Sequence, residues 1–158
     1  MFYVPSMGTT RVTQFANAAR AAVYRACLDE HAVARWMVPD GMRSQVHVFE
    51  PREGGAFRIS LTYDTVSGTG KTSAHTDTFH GRFVTLVPDE RIVQTVAFET
   101  ADPAMAGAMT ITIALRDAGG GTEIEYVHEG VPEAVSAADN ELGTRMSLAK
   151  LAAIAESG

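Results

Sequence analysis

Residues 107–130, GAMTITIALRDAGGGTEIEYVHEG, decide the fold. Apolar residues recur there at every second position, the period of a β-strand, on both sides of Gly119-Gly120-Gly121, which permits a tight reversal. In the first arm Thr110, Thr112 and Arg116 alternate with Met109, Ile111, Ile113 and Leu115, so the latter four face inward. In the second arm Glu123, Glu125 and Glu129 point outward, which puts Ile124, Tyr126 and His128 inside. The spacing therefore predicts antiparallel strands over 107–116 and 122–129 that share one apolar face. That face has to be covered.

The period of two persists upstream to about residue 42. Strands are expected over 91–100, 74–87, 56–64 and 44–50, broken at Asp102-Pro103, at Pro88-Asp89-Glu90 and at the turn PREGG, residues 51–55. In RIVQTVAFET, Glu99 outside and Phe98 inside carry Ile92, Gln94 and Val96 inward. Phe57, Ile59, Leu61 and Tyr63 share a face of their strand. The strand over 74–87 has two candidate apolar faces, and a β-bulge in it would invert every later side chain.

Before residue 42 the period is that of a helix. Asn17 reads as the N-cap of a helix over 18–30, with Val23, Ala26 and Cys27 on one face. A second short helix over 31–37 turns Val33, Trp36 and Met37 to one side and stops at Val38-Pro39-Asp40-Gly41. Residues 9–16 form a weaker strand around Val12 and Phe15. At the other end, residues 133–157 are rich in Ala, Leu and Glu and contain no Pro, which predicts a long helix interrupted at Gly143. The order is strand, two short helices, six strands, long helix. This is an α+β chain with a seven-stranded antiparallel sheet, and only the last helix is long enough to cover its inner face. The sheet should curve around that helix and leave a cavity between them, in a single domain over 1–158 with its core at about 9–156.

Composition narrows the function. The chain has 158 residues, 46% hydrophobic, with 13 Lys plus Arg against 19 Asp plus Glu and a net charge of -6. The only lysines are Lys71 and Lys150, so nucleic-acid phosphates and anionic membrane surfaces are poor partners. No stretch has the length or apolarity of a membrane span or a secretory signal. Cys27 has no intrachain partner, which fits a reducing compartment and predicts a cytoplasmic location.

Several motifs fail on spacing. Gly68-Thr69-Gly70-Lys71-Thr72 resembles the end of a phosphate-binding loop, but Thr65 stands where the first glycine belongs and a strand follows where a helix is needed. His75 and Asp77 share a strand face while His80 points the other way, so no metal site is assigned. No nucleophile motif surrounds Cys27, and neither a cofactor nor a catalytic residue is assigned. Glu99, Glu123, Glu125 and Glu129 read as a solvated outer surface. What remains is an apolar cup with Trp36, Phe57, Ile59, Tyr63, Phe98, Met109 and Ile111 as walls. Gln94, Tyr126 and His128 are the polar groups placed to orient a small hydrophobic or aromatic ligand in it.

A set of short pieces runs through nearly the whole chain, from about Arg11 to Glu156. They are Ala21-Ala22-Val23-Tyr24-Arg25-Ala26, Arg35-Trp36, Pro39, Arg52 with Gly54-Gly55-x-Phe57-Arg58, and Gly81-x-Phe83. Pro88-x-Glu90-Arg91-Ile92-Val93, Gly121-Thr122, His128, Gly143 and Ser147-Leu148-x-x-Leu151 continue the series. In order and spacing they resemble the activator-of-Hsp90-ATPase-homologue-like family of the START/Bet v 1-like superfamily. The resemblance implies a helix-grip fold, a curved sheet around a C-terminal helix with two short helices closing one end. It also implies a cavity of the kind that takes lipids, sterols, polyketides or other hydrophobic molecules, and in some members catalyses cyclisation or aromatisation. Two positions depart from the pattern: Met37 stands where many relatives carry a second Trp, and Gly143-Thr144 where many have Gly-Trp. Loss of that ring enlarges the cavity unless Met146 fills it.

Three functions are therefore weighed. The first is binding of a small hydrophobic ligand in the cavity. The second is a cyclase or dehydratase with His128 as general acid or base and Tyr126 or Tyr63 as donor to a developing oxyanion. The third, carried by the resemblance alone, is a protein-interaction role that includes Hsp90 regulation. A homodimer is compatible with each.

Overall fold

The computed structural model describes residues 8–63 and 76–158. The loop-like run at 68–72, with Lys71, and the weighed ligand His75 lie outside the described residues. The elements follow the expected order: β1 (Gly8–Ala16), α1 (Arg20–Cys27), α2 (Glu30–Trp36), β2 (Met42–Phe49), β3 (Ala56–Tyr63), β4 (Thr76–Val87), β5 (Arg91–Phe98), β6 (Met109–Ala118), β7 (Gly121–Val131) and α3 (Ala137–Ser157). The seven strands form one antiparallel sheet in the order β1-β7-β6-β5-β4-β3-β2, so β1 crosses to pair with β7 and the other neighbours are sequential.

Inward alternation holds in β5, β6 and β7. Ile92, Gln94 and Val96, then Met109, Ile111, Ile113 and Leu115, then Ile124 and His128 are all buried. Their carboxylate neighbours lie outside and meet arginines there. Arg58 holds Glu99 through two hydrogen bonds of 2.8 and 3.0 Å, Arg11 pairs with Glu125 at 3.0 Å, and Arg116 pairs with Glu123. The Arg58 guanidinium keeps the Glu99 carboxyl below its ordinary range. Such exposed pairs add little to stability.

The doubtful strand is resolved by a bulge. In β4 the register slips between Phe83 and Thr85, leaving Val84 unpaired and 50% exposed. The extra residue lets Phe79, Phe83 and Leu86 all pack on the core although their spacing breaks a strict period of two. A second bulge at His47 in β2 does the same for Val46 and Phe49.

Two expectations about helices need correction. Asn17 is not the N-cap of the first helix, which begins at Arg20 after an Ala19 cap with no side-chain hydrogen bond. The Asn17 backbone N–H instead donates to Glu156 Oε2 at 2.7 Å, tying the end of β1 to the last turn of α3. The break before the second helix belongs to Asp29, whose carboxylate accepts from the backbone N–H groups of His31 and Ala32. Gly143 does not interrupt α3, which is continuous and capped by Ser136. One glycine in a helix of 21 residues costs about 1 kcal/mol and does not break it.

The core lies between the concave side of the sheet and the three helices, with α3 packed against β1, α1 and α2. Trp36 is 1% exposed, and its indole N–H donates to the carbonyl of Ala26 at 3.0 Å, locking α2 onto α1. Cys27 is buried in the same core, and desolvation pushes its thiol up to about 12.

Candidate ligand cavity

The sheet-facing side of α3 changes character along its length. Its last turns bury Leu148, Leu151, Ala152 and Ala155 against the core. Its first turns present Asn140, which reaches the sheet edge, and then Gly143, Thr144 and Ser147, whose side chains are small. The space they leave is a cavity of about 400 Å³.

The strand register builds its floor. Phe57, Gly81, Val96 and Met109 sit opposite one another across β3 to β6. Gly81 is required in that row. A Cβ on it would stand 1.8 Å from the Thr95 carbonyl oxygen and 2.6 Å from the Phe57 ring, so the ring occupies the space a side chain would have used. The next row runs Gln94, Ile111, His128 and Thr10 across β5, β6, β7 and β1. Gln94 and His128 are thus two strands apart, roughly 10 Å between backbones. Tyr126 lies on the same face of β7, two residues before His128. Phe79 and Phe98 pair across β4 and β5, and Leu61 pairs with Asp77, so an aromatic pair and a carboxylate share one end of the cavity. Met37, Pro39 and Met42, where α2 passes into β2, with Tyr63, Met105, Val135 and Asp139, complete the wall.

The polar groups divide into two kinds. His128, 8% exposed, is fully engaged. The Thr10 hydroxyl donates to Asn140 Oδ1 at 2.6 Å, which leaves the Asn140 amide N–H to donate to His128 Nδ1 at 3.3 Å. That arrangement assigns the imidazole proton to Nε2, which lies 3.1 Å from the Met109 sulfur. Burial lowers the His128 pKa to about 4. The ring is neutral at pH 7. A neutral imidazole whose Nδ1 lone pair is occupied is a poor general acid or base near neutrality.

Gln94 and Tyr126 are the second kind. Gln94 is 4% exposed, and no hydrogen bond links its carboxamide, or the Tyr126 hydroxyl, to another described residue. Both side chains line the cavity, and their polar atoms open onto it rather than being sealed in the core. Burial raises the Tyr126 pKa, so the hydroxyl stays protonated and can donate.

Of the residues the sequence nominated, Trp36, Phe57, Tyr63, Gln94, Phe98, Met109, Ile111, Tyr126 and His128 line the cavity. Ile59 does not. It is 1% exposed and closed into the core, and its ladder partner Phe79 takes the place at the wall. Met146 does not either, because the lining stripe of α3 runs through Gly143, Thr144 and Ser147 and Met146 falls beside it. The missing aromatic ring of the Gly-Trp pattern is therefore not replaced by Met146. Both departures from that pattern, Met37 and Thr144, stand on the cavity wall. The strand argument missed Asn140 and Thr10 because their roles depend on contacts between elements. A run of small and polar residues on the inner stripe of a covering helix was the available signal. Asp77 and His80 point to opposite faces of β4, and the described residues hold no cluster of His, Cys, Asp and Glu able to take a metal. No described helix is long and apolar enough to cross a membrane.

A curved antiparallel sheet closed by a long C-terminal helix over an apolar cavity defines a helix-grip protein of the START/Bet v 1-like kind. The profile of the family described as "Activator of Hsp90 ATPase homolog 1-like protein" matches residues 17–156, and the chain belongs to that family. Among solved structures, protein CV1439 from Chromobacterium violaceum is 34% identical, covers 94% of this chain and 98% of its own, and superposes with a TM-score of 0.82. Mll3558 from Rhizobium loti is 27% identical over 96% of this chain and 99% of its own, with a TM-score of 0.68. A Staphylococcus epidermidis protein solved by NMR shares the fold at 16% identity, covering 99% of this chain and 94% of its own, with a TM-score of 0.74. No curated protein matches the sequence. Family and fold together are those of a ligand-binding or co-chaperone-like module.

Proposed function

We propose that the protein binds a small, largely apolar organic molecule in the cavity between the sheet and α3, in the cytoplasm. One observation carries the reading. Gln94 and Tyr126 make no hydrogen bond to another described residue and open their polar groups onto a cavity whose wall also carries Phe57, Phe79, Phe98 and Met109. A ligand bearing a hydroxyl or carbonyl oxygen satisfies both groups while its apolar body covers Phe57, Phe79, Phe98 and Met109. Binding is favoured over cyclase or dehydratase chemistry because His128 is neutral and held by Asn140. It is favoured over Hsp90 activation because the cavity is a built feature of this chain, whereas the chaperone role rests on the family description alone.

Native mass spectrometry of freshly purified protein tests this directly. A reproducible extra mass, released on denaturation and lost in a Gln94→Leu/Tyr126→Phe variant that still folds, is the expected result. If the protein carries no mass and a panel of apolar alcohols and ketones leaves its melting temperature unchanged, the reading fails. An accelerated Hsp90 ATPase on adding the pure protein would favour the co-chaperone role in its place.

A further inference from the structure

His128 is held at both ring nitrogens, but unequally. On one side a directed chain of strong groups fixes it: the buried Thr10 hydroxyl donates to Asn140 Oδ1 at 2.6 Å, and the Asn140 amide donates to His128 Nδ1 at 3.3 Å. On the other side the proton left on Nε2 meets the Met109 sulfur at 3.1 Å. A thioether is a weak acceptor, whereas a buried imidazole N–H is a full-strength donor that costs free energy without a comparable partner.

That contact belongs to the cavity wall, since His128 and Met109 both line it. They are diagonal neighbours on β7 and β6: His128 stands opposite Ile111, and Met109 lies two residues before Ile111 on the same face. The unbranched Met109 side chain has the rotational freedom to withdraw its sulfur. The same cross-strand row carries Gln94 on the far side of Ile111, 4% exposed and without a hydrogen bond to another described residue. Two side chains with N–H donors therefore flank Ile111 on the cavity face of the sheet. Because Asn140 occupies Nδ1, His128 has a donor to offer and no acceptor, while the Gln94 carboxamide has both.

Resting on the proposed ligand site, we infer that His128 is a specificity-determining residue whose Nε2–H leaves the Met109 sulfur to bind an acceptor oxygen of the ligand, of the ketone, ester or ether class. Thr10 is a positioning residue that holds the imidazole in this tautomer through Asn140. The ligand oxygen lies over Ile111, between His128 and Gln94, and the apolar body covers the neighbouring row of Met109, Val96 and Phe57.

Two probes of one shape, 2-acetonaphthone and 2-isopropylnaphthalene, test it by NMR titration at pH 7. The imidazole nitrogen spectrum of the free protein should show the proton on Nε2, and the ketone should move that N–H signal while the hydrocarbon leaves it in place. Met109→Leu, which removes the competing sulfur at nearly constant volume, should raise the ketone affinity at least threefold and leave the hydrocarbon within twofold. His128→Phe should lower the ratio of ketone to hydrocarbon affinity at least tenfold, and Thr10→Val should let the His128 proton redistribute to Nδ1. Should either of these last two variants not fold, Met109→Leu and the spectra of the unaltered protein decide. A proton on Nδ1 in the free protein, an Nε2–H signal unmoved by bound ketone, or an unchanged ratio in folded His128→Phe overturns the inference and leaves the ligand site standing. Failure of both probes to bind overturns it too, and the retained mass in native mass spectrometry then decides the ligand site separately.

Discussion

Burial keeps His128 neutral in the folded protein down to about pH 4, while the same imidazole in the unfolded chain takes up its proton near 6.5. Above pH 6.5 neither form is protonated and the residue adds no pH dependence. Between 6.5 and 4 the unfolded state binds a proton that the native state does not, so stability falls as the pH falls, by at most about 3 kcal/mol. Urea unfolding at pH 7 and pH 4.5 should show this loss in the native protein and a smaller one in His128→Gln, which keeps an acceptor for Asn140. Equal losses in both would mean that His128 is not the group concerned. Gly81 makes a second prediction. Gly81→Ala forces a Cβ into the Thr95 carbonyl and the Phe57 ring, and should lower stability by about 3 kcal/mol in the same assay. Strand alternation put His128 and Gln94 on the inner face from the sequence alone. It could not find Thr10 and Asn140, because the network joining them runs between residues 130 apart in the chain.

The strands of β5 to β7 were legible because a sheet with one face on a core and one in water writes its period directly into the sequence. What escaped was whatever a local pattern does not encode. The Val84 bulge preserves burial by breaking the period, and Asn17 looks like a cap yet gives its backbone N–H to Glu156. Gly143 is a third case, a residue whose usual effect on a helix is absorbed by the continuity of α3. A Cβ there would meet only the Pro39 ring, at an ordinary 3.8 Å. Gly143→Ala should therefore stabilise the protein by about 1 kcal/mol and raise its melting temperature by about 2–4 °C, measured by thermal denaturation. A lower melting temperature would show that the helix needs the glycine's freedom at this turn.

For the whole molecule, the order of elements and the single antiparallel sheet followed from the sequence, and so did the existence of a space beneath the last helix. Its extent did not, because it depends on Gly143, Thr144 and Ser147 of α3 lining the same space as Phe57, Val96 and Met109 of the sheet. Thr144 faces that space. Thr144→Trp should fill it, abolishing binding of 2-naphthylmethanol while leaving far-UV circular dichroism unchanged. In the unaltered protein a bound probe at a hundredfold excess over its Kd should add about 2.7 kcal/mol of stability, and the variant should gain none. Stabilisation of the variant by the probe would place the bound molecule elsewhere.

The pairing of β1 with β7 also sets a clock. During synthesis the first strand leaves the ribosome long before its partner exists, and the interval includes the two short helices and five other strands. Until β7 arrives, Val12 and Ala16 have no ladder to join, and the nascent sheet grows by sequential hairpins from β2 onward. Joining the two ends of the chain is then the late, slow event, and it completes the platform on which α3 comes to rest.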